Sequence, residues 1–299
     1  MFNYSYLGLK IRSDLEFLQL MKDDIAGVPD VLIQANSNQE ALLEQCKQSG
    51  YEITPDFSWF ANPTAYIEII KGKKIIYTFY PDQNLKLLQA YILGYAMAML
   101  CLQRGLLAIH CSAIAVNGKA YLISGESGSG KSTITSYFLQ SEDNGFLADD
   151  MTVVGKDRDG IVYVWPAFPY QKLCKDAAIA QGYKLDELIY VDEYKDKYLV
   201  PCKQQFCFDK VPIGGMLYLY THDEESVKYS QLHGIENFSV CINNLFLRRV
   251  LGKEKFAPYI GQKCLEIAAQ VRACVIGRPK EVDSREEIIS YVRNFINSK

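Results

Sequence analysis

Hydrophobic and polar positions alternate over short distances in the first part of the chain. Between residues 1 and 84, apolar runs rich in Tyr and Ile are separated by turn residues, as in YSYLGLKI and in AYIEIIKGKKIIYTFY. Such runs predict β-strands, and Lys71-Gly72-Lys73 predicts the turn of a hairpin between YIEII and KIIYTF. We therefore expect residues 1–84 to form a small, strand-rich N-terminal part.

A longer apolar stretch follows, LKLLQAYILGYAMAMLCL, from Leu85 to Leu102. It contains Lys86 and Gln89 and is short for a bilayer span, so the pattern favours a buried amphipathic helix over a membrane element. Gly105 is a typical stop for such a helix. We place the boundary between the N-terminal part and a larger domain, residues 85–299, at this helix.

Beyond the helix the pattern predicts an α/β domain. Strands are expected on both sides of an Asn117-Gly118 turn, and the second strand leads into a glycine-rich loop and a helix from about Lys131 to Gln140. Further strands are expected in GFLADDMTVVG, which carries two aspartates, in GIVYVWPAFP and in GGMLYLY. From Pro166 to about Pro212 the pattern predicts alternating helix-like and irregular, polar pieces. Helices are expected at about 238–251, 257–267 and 284–296.

The glycine-rich loop fits the phosphate-loop pattern G-x-x-x-x-G-K-[ST]. Its candidate nucleotide-binding residues are Gly125, Glu126, Ser127, Gly128, Ser129, Gly130, Lys131, Ser132 and Thr133. Glycines let backbone N–H groups approach phosphate oxygens, Lys131 reaches the β- and γ-phosphates, and the Ser132 hydroxyl can ligate Mg²⁺. The expected cofactors are ATP and Mg²⁺.

Two adjacent carboxylates and one histidine are the candidate catalytic groups. Asp149 lies only 18 positions after Lys131, and the pair Asp149-Asp150 interrupts an apolar run, where carboxylates without a role are costly. One aspartate could bind Mg²⁺ while the other accepts a proton from an attacking hydroxyl. His110 lies in the strand before the Asn117-Gly118 turn; a histidine satisfied in the core is the alternative interpretation there.

Charge and cysteine content exclude some classes of function. The net charge is −3 with 22% charged residues and no basic stripe, which argues against a nucleic-acid partner. The nine cysteines are scattered without a C-x-x-C pair, so we expect reduced, mostly buried thiols in a cytoplasmic protein. No membrane partner is expected.

His110, the strand into GESGSGKST and the closely following LADD together resemble the HPr kinase/phosphorylase family, which has a PEP-carboxykinase-like phosphate-loop fold. The wider pattern, YILGYAMAMLCLQRGLLAIHCSAIAVNGKAYLISGESGSGKSTI followed by WPAFPYQKLCKDA, is similar to the HPr-kinase-like proteins that phosphorylate lasso-peptide precursors on serine. The likeness is strong over about 91–150 and weaker to about 178. The signature stretch that HPr enzymes use for phosphorolysis is missing, so the resemblance implies a kinase without HPr as its substrate.

Position by position, the resemblance implies a role for each candidate. Asp149 would be the general base, Asp150 the carboxylate on the metal side together with Ser132, and His110 a neighbour that tunes the pair. Lys172 in PYQKL and Arg278 in IGRPKE are weaker candidates for contacts with phosphate. Both would neutralise charge on the transferred group.

These observations favour a kinase that acts on a hydroxyl group. The expected acceptor is a serine of a ribosomally made precursor peptide of the lasso type (a RiPP); a small-molecule alcohol, such as free serine or a sugar, is the alternative. An ATPase without a phosphoryl acceptor and a nucleotide-binding module without turnover are the other classes. The chain has no L-S-G-G-Q signature of a transporter ATPase, and its loop is intact. A homo-oligomer is possible, as in the ring-forming HPr enzymes.

Overall fold

The computed structural model describes residues 1–37, 50–191, 196–248 and 257–298. The strands are β1 (Phe2–Tyr6), β2 (Leu9–Ser13), β3 (Met21–Lys22), β4 (Val31–Ala35), β5 (Gly50–Ile53), β6 (Phe57–Ala61), β7 (Ala65–Ile70), β8 (Lys74–Phe79), β9 (Leu107–Ile109), β10 (Ser112–Val116), β11 (Lys119–Gly125), β12 (Gly145–Ala148), β13 (Thr152–Lys156), β14 (Val162–Trp165), β15 (Tyr170–Cys174), β16 (Ile189–Val191), β17 (Lys197–Pro201), β18 (Val211–His222), β19 (Lys228–Leu232) and β20 (Ala273–Pro279). The helices are α1 (Leu85–Tyr91), a π-helical turn (Ile92–Ala96), α2 (Met97–Gln103), α3 (Lys131–Phe138), α4 (Lys175–Ala180), α5 (Ile235–Asn243), α6 (Pro258–Ala268) and α7 (Arg285–Asn297). The chain is a mixed α/β protein, as expected.

The chain divides into two compact units, and each is made of two separate segments. Unit 1 comprises Met1–Ala108 and Tyr170–Pro201, and unit 2 comprises Ile109–Pro169 and Cys202–Lys299. This division differs from the expected domains 1–84 and 85–299. The helix that starts at Leu85 groups with the N-terminal strands because its apolar side packs on them, and residues 170–201 return to the same unit.

Unit 1 contains a mixed sheet with strands in the order β3-β1-β2-β4-β8-β7-β6-β5. The expected hairpin is confirmed, because β7 and β8 are antiparallel and Ile70 pairs with Lys74. Lys71 and Gly72, between them, both have positive φ values of 49° and 61°. Such values suit a tight turn that reverses two twisted strands.

The apolar stretch forms a helix in unit 1, interrupted at its centre by the π-helical turn. Its last residues, Met97–Leu102, are at most 7% exposed. A π-turn leaves backbone groups without their usual helical partner, and here the Tyr6 hydroxyl donates to Leu93 O at 3.2 Å. Within the described residues, the helix Leu85–Gln103 is long and apolar enough to cross a membrane by length and composition alone, and 56% of its apolar stretch is buried inside the protein. Buried core helices share this length and composition.

The segment 170–201 was expected to alternate helix-like and irregular pieces without strands, and this prediction was wrong in part. It forms a three-stranded antiparallel sheet in the order β15-β17-β16, with α4 packed beside it. The strands are only three to five residues long, so the alternation on which a sequence-based assignment depends is weak. Its small core consists of Leu173, Ala178 and Val200.

Unit 2 is built on a sheet whose strands run in the order β12-β10-β11-β18-β14-β13. β18 also pairs in parallel with β20, and β20 pairs with β19. One face of the sheet packs against α3 and α7 through Ile123, Leu217 and Ile276, none of which is exposed. The Asn117-Gly118 turn is confirmed, with φ values of 52° and 72°.

Several boundaries in unit 2 differ from expectation. GFLADDMTVVG was predicted as one strand but forms two, β12 and β13, separated by a turn at Asp149-Asp150. The helix expected over 238–251 begins at Ile235 and its regular part ends at Asn243; residues 249–251 lie outside the described residues. The strands β19 and β20 were not predicted.

Candidate active site

The candidate residues meet at one edge of the unit 2 sheet. β11 is parallel to β18, and β18 is parallel to β20. β10 is antiparallel to both β11 and β12, so β12 points in the same direction as β11. The carboxyl ends of these four strands therefore lie at the same edge, and with β10 between them β11 and β12 are about 10 Å apart. Ligands of α/β sheets bind at this edge.

The phosphate loop connects β11 to α3 and depends on three glycines with positive φ. These are Gly125, Gly128 and Gly130, with φ values of 140°, 80° and 104°. A side chain at Gly125 would collide with the backbone, since a Cβ there would lie 2.0 Å from Leu219 O. At Gly128 and Gly130, by contrast, a Cβ would meet nothing within 4 Å. The first glycine is needed for packing and the other two leave open space beside the loop.

Two cations contact the backbone of this loop. Lys131 Nζ donates to Gly125 O at 2.8 Å and to Glu126 O at 2.5 Å, so its ammonium group lies within the loop. Arg278, at the end of β20, donates from Nη2 to Gly128 O at 3.3 Å. These contacts place positive charge on two sides of the loop, which suits a polyphosphate.

The one acidic side chain of the loop, Glu126, is directed toward the end of β18. Its carboxylate oxygen Oε2 accepts from Thr221 N at 3.4 Å and from Thr221 Oγ1 at 3.5 Å. Its backbone N–H donates to Leu219 O at 3.0 Å. Burial, and then the charge of Glu126, raise the pKa of the neighbouring Tyr218. Glu126 thus fastens the start of the loop to β18.

Asp149 follows β12 directly and is buried, with 9% of its surface exposed. Its Oδ1 accepts a hydrogen bond from Ser112 Oγ at 2.5 Å. Ser112 pairs with Ile123 near the end of β11, so Asp149 is tied to the strand next to the phosphate loop. A carboxylate in such a place remains charged only if polar partners stabilise it, and Ser112 is one of them.

Asp150 is more exposed and has an uncommon backbone conformation, with a φ of 70°. Met151 N donates to Asp149 O at 2.9 Å, which closes a three-residue turn around it. His110 Nδ1 lies 2.9 Å from Asp150 O and 3.6 Å from Asp150 Oδ1. Because a carbonyl oxygen only accepts, His110 carries a proton on Nδ1 and donates it to this turn. His110 therefore holds the backbone of the aspartate pair in addition to standing beside its charge.

The donor set fits a nucleotide with Mg²⁺. Open space beside Gly128 and Gly130 admits phosphate oxygens, and Lys131 and Arg278 supply charge. Within the described ranges no group of three His, Cys, Asp or Glu side chains could hold a metal ion. Mg²⁺ in nucleotide sites uses one or two protein ligands and completes its shell with phosphates and water, so a hydroxyl and a carboxylate are the ligands expected of the protein.

The fold of unit 2 brings together most of the residues proposed from the sequence. The loop residues 125–133, the pair Asp149-Asp150, His110 and Arg278 all lie at the described sheet edge. Lys172 lies on β15 in unit 1, where it pairs with Leu199. Its contact with phosphate stays a prediction.

Sequence reasoning missed three polar residues that contact the candidates. Ser112 lies two positions after His110, and this proximity was the available signal. Ser124 is completely buried and directly precedes the loop. Asn244 comes from the end of α5, 120 positions after Ser124, and no local pattern indicates it. Cys111 lies between His110 and Ser112. Burial raises the pKa of its thiol to about 12, which suits a structural cysteine.

No protein-family model matches this chain, and no curated protein matches it. Among solved structures 92 chains match. One is a structure of the Hpr(Ser) kinase/phosphatase from Coxiella burnetii, with 11% sequence identity and a TM-score of 0.31 over 62% of this chain and 94% of that chain. A similarity this weak does not establish what the chain does.

Proposed function

We propose that the protein is an ATP- and Mg²⁺-dependent kinase that transfers the γ-phosphoryl group to a hydroxyl. One observation carries the proposal: the Asp149-Asp150 turn and the phosphate loop lie at the same sheet edge, with a single strand between them. A spacing of about 10 Å between β11 and β12 leaves room for a γ-phosphate and an acceptor oxygen between the lysine and the carboxylates.

Each side chain has a defined part in the proposed transfer. Lys131 and Arg278 hold and neutralise the phosphates. Asp149 takes the proton of the acceptor hydroxyl. The oxygen of that hydroxyl bonds to the γ-phosphorus while the bond from this phosphorus to the β,γ-bridging oxygen breaks, and ADP is released. Ser112 and His110 keep the two aspartates in place. Mg²⁺, held by Ser132 and Asp150 together with phosphate oxygens, would stabilise the negative charge of the transferred group.

The transfer is tested with γ-labelled ATP and Mg²⁺ on the wild type, on Asp149→Asn and on Asp143→Asn as a matched control. Asp143 is an exposed aspartate a few positions before β12. We expect labelled acceptor with the wild type and the control, and a loss of at least about 100-fold with Asp149→Asn, since general bases contribute about 10² to 10⁴ in rate. Phosphate release that needs no acceptor and is unchanged in Asp149→Asn would refute the kinase and favour an ATPase.

For the acceptor, we propose a serine of a ribosomally made precursor peptide of the lasso type. The sequence resemblance supports this choice. Serine-ended peptides, free serine and simple sugars are offered in parallel. Label on a sugar or on free serine would keep the kinase and replace the peptide by a small alcohol.

A further inference from the structure

We propose that Ser124 and Asn244 are positioning residues. By binding the backbone of His110, they fix the position of the Asp149-Asp150 turn relative to the phosphate loop. The inference rests on the proposed function, because it assigns how the parts of that site are aligned. Ser124 is completely buried and Asn244 caps α5, so neither is assigned a contact with the acceptor.

Ser124 connects the loop strand to both partners. It is the residue before Gly125, and its hydroxyl donates to His110 O at 2.9 Å and to Asn244 Oδ1 at 2.7 Å. The single hydroxyl proton is shared by two acceptors in a site where the Ser124 side chain is shielded from water. Displacement of either acceptor from β11 would break its hydrogen bond to this hydroxyl.

Asn244 fixes the other side of the histidine. Its Nδ2 donates to Val240 O at 2.7 Å, and because that carbonyl only accepts, the amide is oriented with Oδ1 toward Ser124. Its backbone oxygen accepts from His110 N at 2.7 Å. The next residue, Leu245, forms a β-bridge with Ile109. The end of α5 therefore runs beside the segment that carries His110.

As a result, both backbone polar groups of His110 are bound, the N–H by Asn244 and the carbonyl by Ser124. The ring is thereby directed at Asp150 O, the carbonyl of the residue with a left-handed φ. A continuous set of hydrogen bonds leads from the phosphate loop through Ser124 and His110 to Asp150. Small displacements of reacting groups lower rates and metal affinities steeply, so such a linkage has a measurable effect.

The test measures ADP affinity by titration calorimetry with and without Mg²⁺. The gain in affinity on adding Mg²⁺ reports how well Asp150 is placed, whereas the affinity without Mg²⁺ reports the loop itself. We expect Asn244→Ala to reduce this gain about tenfold, as loss of an outer-shell partner does, with the Mg²⁺-free affinity nearly unchanged. Asn244→Asp retains an oxygen for Ser124 and should recover part of the gain. Asp150→Asn gives the lower limit.

Asn237→Ala is the matched control. It lies on the same helix, and its side chain donates to Val271 O at 2.9 Å. Ser124→Ala removes the other half of the linkage and is the second variant, used if Asn244→Ala does not fold in a thermal melt; it should show the same reduced gain.

The outcomes separate this inference from the proposed function. If Asn244→Ala and Ser124→Ala retain the full gain in ADP affinity on adding Mg²⁺, the linkage is refuted. The same follows if Asn237→Ala loses as much of the gain as they do. Neither result contradicts the proposed function. If ADP binds the wild type with one affinity in the presence and absence of Mg²⁺, the metal role of Asp150 is wrong, and the linkage falls with it.

Discussion

Two substitutions of glycine by alanine in the phosphate loop should separate stability from binding. Gly125→Ala should mainly lower the stability of unit 2, and Gly128→Ala should mainly lower the affinity for ADP. In Gly125→Ala the new Cβ would lie 2.0 Å from Leu219 O. Leu219 cannot move away, because it pairs with Gly125 on one side and with Ile276 on the other. Left-handed backbone strain and overpacking together should destabilise unit 2 by about 2–5 kcal/mol.

In Gly128→Ala the situation is reversed. The φ of 80° strains an alanine, but a Cβ there meets nothing within 4 Å, and alanine also restricts the unfolded chain. The net loss of stability should be about 1–2 kcal/mol, less than for Gly125→Ala. The added methyl group would occupy the open space beside the loop, however, so ADP affinity should fall at least about tenfold, which is 1.4 kcal/mol. Gly130→Ala, at a φ of 104° in equally open space, should behave like Gly128→Ala.

The assay uses urea unfolding followed by tryptophan fluorescence, with ADP binding measured in parallel. The chain has two tryptophans, of which Trp59 lies in unit 1 and Trp165 in unit 2. In a Trp59→Phe background the signal reports unit 2, which contains the loop. The reasoning is refuted if Gly125→Ala unfolds within 1 kcal/mol of the parent, or if Gly128→Ala binds ADP like the parent.

Two further predictions concern charge. Arg278→Ala should weaken ADP binding by roughly 10- to 100-fold, since charge-assisted hydrogen bonds contribute about 1.5–3 kcal/mol; Arg293→Ala, whose guanidinium stacks on Tyr137, is the control, and equal effects of the two would contradict the assignment. Burial raises the pKa of Cys111 and Cys274 to about 12 from 9.0, so the stability they contribute is complete below pH 9 and is lost toward pH 12. Unfolding free energies are measured from pH 8 to pH 10.5. Above pH 9 each of the two thiols should lower the unfolding free energy by about 1.4 kcal/mol per pH unit. Cys274→Ala should reduce this slope, and an unchanged slope in that variant would contradict the prediction.

Local patterns in the sequence determined the elements whose geometry is set by neighbouring residues. The strand, the glycine loop and the helix from Lys131 are predictable because glycine is the residue that readily adopts the φ values such a loop requires. The Asn117-Gly118 hairpin follows from the same preference. The apolar helix at Leu85 is predictable from its length and composition, but not its π-turn, which coincides with a contact from Tyr6.

Only the tertiary structure decided how the site is assembled. Insertion of β10 between β11 and β12 sets the distance from the loop to Asp149, and the turn at Asp150 breaks what the pattern predicts as one strand. Asn244 reaches Ser124 across 120 positions, and Arg278 reaches Gly128 across 150. Contacts over such separations depend on strand order and packing, which no local preference encodes. The same reason explains why residues 170–201 join unit 1, so that Lys172 and the phosphate loop belong to different units.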